Sequence, residues 1–164
     1  MMNDLPIDPI RANARNNAAA RRVGLNAKCA CGESRPEALI TGSDPMICAE
    51  CWRKQREQST LDDHHFAGAS NSPMTIPIPV NDHRADLSVA QYDWPKQTLE
   101  NPDRSPFLAA AACIRGFLDT VLYLQKGLRW IAEMLEKADA FLVEKFGRKW
   151  WTGTPLQQFQ PKER

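Results

Sequence analysis

The chain has 164 residues, a net charge of +1, twelve prolines and five cysteines, enough for one ordinary domain or two small modules with little core each. Mean hydropathy is below zero, and the sequence reading finds no apolar window approaching the eighteen or so residues of a membrane span, so a soluble, cytoplasmic protein is expected. The sequence holds no phosphate-binding glycine loop and no serine nucleophile elbow, which removes the commonest nucleotide-binding and acyl-transfer classes.

Net charge near zero conceals a local imbalance. Arg11, Arg15, Arg21, Arg22, Lys28 and Arg35 face a single acid, Glu33, over residues 11–35, and Arg53, Lys54 and Arg56 form a second basic group. Both suit contacts with phosphates, so DNA is an expected partner. Residues 1–25 read as a basic arm, either a short alanine-rich helix or a mobile segment, with few large apolar residues to pack.

Residues 26–58 have the layout of a zinc knuckle. Cys29 and Cys31, then Cys48 and Cys51, bracket a polar excursion with turn residues Gly42, Ser43, Asp44 and Pro45. Four thiolates satisfy the tetrahedral preference of Zn2+, and such a closed site scaffolds without catalysing. Cys113, inside an apolar run, reads as a small core residue.

Residues 59–96 contain every histidine: His64, His65 and His83 lie within twenty residues. Imidazole serves both as metal ligand and as base near neutral pH. The expected path is a strand at the histidine pair, a loop through Gly68 and Asn71, a strand over 75–80, and a helix capped by Asn81 or Asp82 that carries His83, Arg84, Leu87 and Gln91 and stops before Pro95. That path returns His83 to the side of His64.

The segment LDDHHFAGASNSPMTIPIPVNDHR resembles the motif of the His-Asn-His (ββα-metal) endonucleases, and Gln91, Trp94 and Pro95 extend the likeness to zinc-bearing phage and bacterial members. It covers roughly residues 27–95. The resemblance implies a metal-dependent endonuclease acting on DNA phosphodiester bonds. It implies a catalytic divalent cation (Mg2+, Mn2+, Ni2+ or Zn2+) on His64 and His83, with Asp63 or Asp82 as further ligands, and His65 as general base. Asn71 would pin the loop and orient that base, with Asn81 a rival for the role, and Arg84 would touch phosphate. Many zinc-bearing relatives place the second cysteine pair around the last histidine, where this chain has Pro79 and Asp82. A non-catalytic zinc-binding adaptor for nucleic acid or protein, in a phage or mobile element, is the alternative function.

After a linker at 97–104, Ser105 and Pro106 form a helix start. Ile114, Phe117, Leu118, Val121, Leu124, Leu128, Ile131, Leu135, Ala138 and Leu142 then recur at three- and four-residue steps through an extension over 105–151, leaving 152–164 as a tail. Gly116 and Gly127 are candidate bends. Either a helical hairpin or one long helix pairing in a homodimer fits the pattern. The expected fold class is α+β: a small zinc knuckle, a ββα-metal motif and C-terminal helices.

Overall fold

The computed structural model describes residues 9–160. The chain divides into two compact units, Met1–Tyr123 and Leu124–Arg164. Within the first lie α1 (Pro9–Val23), a 3-10 turn (Pro36–Ala38), α2 (Ala49–Lys54), β1 (Leu61–His64), β2 (Ile76–Pro79) and α4 (Lys96–Glu100). A continuous helical segment over 80–92, here α3, links Val80–Asp82, a π-helical turn His83–Leu87 and Ser88–Tyr92. The last helix, α5 (Pro106–Phe146), begins in the first unit and ends in the second.

The mixed helix and two-stranded sheet agree with the α+β expectation. β1 and β2 are antiparallel, with Leu61 opposite Pro79 and His64 opposite Ile76. Two strands leave both outer edges open, which is where Pro77 and Pro79 are tolerated. Burial alternates along β1, so Asp62 and His64 face inward and Asp63 outward. The expected strand opens at the histidine pair, whereas β1 runs into it and ends at His64, and α3 begins at Val80, before His83.

The basic arm is helical and docked. Ala19 is buried, and Arg15 reaches Asp93 with both guanidinium nitrogens, at 2.6 and 2.7 Å. Alanine contact and one bidentate ion pair replace the large apolar face that the arm lacks. Its first eight residues fall outside the described part. The expected linker contains α4, whose C-terminal Asn101 is left-handed and accepts the Ser105 amide at 2.8 Å.

Neither glycine breaks α5. Gly116 is buried where the helix crosses the loop after β1: a Cβ there would sit 1.8 Å from the Phe66 carbonyl oxygen, whereas one at Gly127 would meet nothing within 4 Å. By length and composition α5 contains an eighteen-residue window apolar enough to cross a membrane. This corrects the sequence reading, because the alanines at 109–112 and Cys113 count as apolar too. In the first unit, however, that helix turns Ala112, Gly116, Asp119 and Tyr123 to its own domain. Asp119 takes the Trp94 indole N–H at 2.8 Å, and Tyr123 donates to Asp82 at 2.7 Å.

Gly116→Ala is expected to cost about 3 kcal/mol, because backbone cannot yield as a flexible side chain can. Gly127→Ala should be neutral or stabilise by up to about 1 kcal/mol. Chemical denaturation of the two variants beside the parent checks the pair.

Candidate metal centre and histidine site

The knuckle is built from two turns. Gly32, at φ +101°, donates its amide to the Cys29 carbonyl while the Cys29 amide donates to the Glu33 carbonyl, folding the first cysteine pair back on itself. Leu39 bridges Cys48, and Cys48 caps α2, its sulfur accepting the Cys51 amide at 3.5 Å. The ligand atoms of Cys29, Cys31, Cys48 and Cys51 all lie within 4.8 Å of one another, close enough to hold a metal ion. The Cys31 and Cys48 sulfurs are 3.6 Å apart, against about 3.8 Å for two thiolates on one tetrahedral ion. Burial and the three neighbouring sulfurs push the Cys51 thiol far up, while backbone amides outweigh burial to bring Cys29 down to about 7. Four such thiols cannot all ionise together unless a cation compensates them.

His64 closes β1 and is 2 % exposed. His83 opens the π-turn of α3, whose wide loop runs from the His83 carbonyl to the Ser88 amide. Their rings stand edge to face with centroids 5.0 Å apart. Burial, then the charges of His83 and His65, hold His64 at about 4, so it is neutral at pH 7 with a lone pair to give. Asp62 Oδ2 lies 2.9 Å from His83 Nδ1, and its other oxygen meets Arg53 at 2.6 Å. Burial works to raise Asp62, but hydrogen bonds from His83 and Arg53 more than offset it and keep the carboxylate ionised. An Nδ1–H held in this way frees Nε2 of His83 as a ligand.

His65 Nδ1 lies 3.4 Å from the Ser72 carbonyl. Asn71 donates to the Thr98 carbonyl at 2.9 Å and accepts from Asn101 at 2.9 Å, fixing the loop that contains that carbonyl to α4. Gln91 donates to the carbonyls of His65 and Phe66 at 2.7 and 3.2 Å and lies 3.3 Å from His64 Nε2, bracing the end of β1 behind both imidazoles.

The remaining candidates lie elsewhere. Asp63 is exposed on the far face of β1. Asp82 is taken by Arg35 at 2.7 Å and by Tyr123, and it does not cap α3. Asn81 caps α2, accepting the Glu50 amide at 3.0 Å. Arg84 is exposed and lines a groove with Arg22 and Tyr92 between α1 and α3. Asp62 and Gln91 are site residues to which the motif assigns no role, and Arg53, expected at phosphate, is instead paired with Asp62. Alternation along β1 was the signal for Asp62, since it shares a face with His64. Among the described residues the cysteine quartet is the group of three or more His, Cys, Asp or Glu side chains that converges on one point; His64, His83 and Asp62 do not form a second such set.

Comparison with known protein families, curated proteins and solved structures returns no match to this chain.

Protein purified without chelator is expected to contain one thiophilic divalent ion per chain by elemental analysis. Cys48→Ser should abolish it and cost at least about 3 kcal/mol of stability. A metal-free parent of unchanged stability would remove the centre.

Proposed function

We propose that this chain is a metal-dependent endonuclease of the His-Asn-His type, hydrolysing DNA phosphodiester bonds, with a structural zinc ion on Cys29, Cys31, Cys48 and Cys51. The observation that carries the reading is one piece of geometry: the His64 ring at the end of a strand and the His83 ring at the start of the following helix stand 5.0 Å apart. The resemblance of LDDHHFAGASNSPMTIPIPVNDHR to that family's motif supports it from the sequence side.

His64 and His83 would hold the catalytic divalent cation, and the donor set fits: two imidazoles, one neutral through burial and one oriented by Asp62. Such an ion supplies positive charge against the phosphate and the departing oxygen. His64 and His83 would be its protein ligands, leaving room for water and the scissile phosphate. His65 acts as general base: an Nδ1–H directed at the Ser72 carbonyl leaves Nε2 unprotonated to take a proton from the attacking water. Asn71 and Gln91 hold the backbone on either side of that imidazole. Arg22 and Arg84, exposed along the α1–α3 groove, meet flanking phosphates.

Nicking of supercoiled plasmid with Mg2+, Mn2+, Ni2+ or Zn2+ tests the reading. His65→Ala should slow cleavage about 10²- to 10⁴-fold with DNA retention and zinc content intact. Gel-shift without cleavage by the parent in all four ions would leave the adaptor function in its place.

Asp62→Asn is expected to weaken Mn2+ binding about 10- to 100-fold by titration calorimetry. Asp63→Asn, altering the outward face of the same strand, should leave it unchanged; equal effects would mean that Asp62 does not orient His83.

A further inference from the structure

Helix α3 carries the histidine site along one face: His83 lies in its first turns, Leu87 is buried one turn on, and Gln91 follows a turn later. The Gln91 carboxamide nitrogen has three neighbours, the His65 carbonyl oxygen at 2.7 Å, the Phe66 carbonyl oxygen at 3.2 Å and His64 Nε2 at 3.3 Å. A carbonyl oxygen only accepts, so the end of the carboxamide that meets two of them is its NH2; turned over, it would set oxygen against two oxygens.

His64 Nε2 therefore faces a donor. The imidazole is 2 % exposed, and an N–H at Nε2 would stand against the amide N–H with little water to relieve it. Nε2 thus holds a lone pair, which excludes the imidazolium, protonated on both nitrogens, and leaves the neutral ring with its proton on Nδ1. Water imposes no such choice, since a free neutral imidazole exchanges between two tautomers. A carboxamide has two N–H groups for these three acceptors, and the two shorter contacts go to the carbonyls. The His64 lone pair is the least engaged of the three and can be handed to a cation while Gln91 stays anchored. Asp62, accepting from Nδ1 of His83, selects the same tautomer in the other ring, as acceptor where Gln91 acts as donor.

We propose that Gln91 is a positioning residue of the histidine site: its amide keeps the His64 proton on Nδ1 and so presents Nε2 to a divalent cation. Cation binding at that nitrogen rests on the nuclease reading; the place of the proton does not. Long-range 1H–15N spectra of the full chain, with the cysteine site loaded and the histidine site metal-free, read the tautomer directly. His64, assigned by its loss in His64→Gln, is expected to show a protonated Nδ1 and an unprotonated Nε2 at pH 7. Gln91→Met, which keeps the length and removes the donor, should bring in the Nε2–H form and weaken Zn2+ binding at the histidines about tenfold, with the cysteine-bound metal retained as proof of folding. In the parent, added Zn2+ should shift the His64 Nε2 signal and leave Nδ1 protonated. A protonated Nε2 in the metal-free parent overturns the proposal, as does a tautomer unchanged in Gln91→Met. Zn2+ acting at Nδ1, or at neither nitrogen, overturns the presentation of Nε2. Plasmid nicking that fails while this pattern holds sinks the nuclease reading alone.

Discussion

Convergence of four cysteine sulfurs within 4.8 Å fixes the ends of the two segments from which the histidine site is supported. The first unit buries few large side chains; Leu87, Val80 and Cys48 are the largest that are fully buried. With so little apolar burial, cross-links of other kinds must hold the loops, and the quartet is close enough to supply one by holding a metal ion. Immediately beyond Cys51, Arg53 reaches Asp62, and Asp62 reaches His83. Immediately beyond Cys31, Glu33 and Arg35 reach Asn81, Asp82 and Asp86. Both cysteine pairs are thus continued by residues that grip α3 at its first turns, where His83 sits.

Arg35 is the most heavily engaged of these. Its guanidinium meets Glu33 at 2.6 Å, Asp82 at 2.7 Å and Asp86, so three carboxylates gather around one cation. The Arg35 guanidinium holds the Glu33 carboxyl at about 2, far below the ordinary range, despite burial acting the other way. Burial and the Asp82 hydrogen bond push the Tyr123 hydroxyl up, so it stays protonated and donates to that carboxylate. Each acid is compensated within a partly enclosed network, which is the condition under which such groups can be withdrawn from water.

Much of this was legible in the sequence, and for physical reasons. Paired cysteines declare a metal site because few other roles need that spacing, and the histidines declare a cluster because a strand, turn and helix of those lengths must fold back. What escaped was face and partner. The resemblance implies Asp63 as a further ligand, but the two-residue period of a strand puts Asp62 on the inner face. Asn81 looked like a cap for its own helix and instead caps α2, thirty residues upstream, a choice that local sequence cannot encode. The arm of α1 is poor in large apolar residues, yet a guanidinium–carboxylate pair with Asp93, the burial of Ala19 and the packing of Val23 against Cys29, Leu39 and Cys48 dock it.

The position of the cysteines follows from the same network. In many zinc-bearing nucleases that the motif resembles, the second cysteine pair flanks the last histidine. Here Pro79 and Asp82 stand at those positions, and both cysteine pairs lie upstream. Asp82 ties the first turn of α3 to the knuckle through Arg35. Asn81 adds a second tie by accepting the Glu50 amide, and Asp62 a third through Arg53. A charged hydrogen bond contributes about 1.5–3 kcal/mol, far less than the ~10 kcal/mol of a structural zinc site. Two of these ties are charged, Arg35 with Asp82 and Arg53 with Asp62, and the third, Asn81 with the Glu50 amide, is neutral. The wide π-turn beginning at His83 lies at that point of the helix.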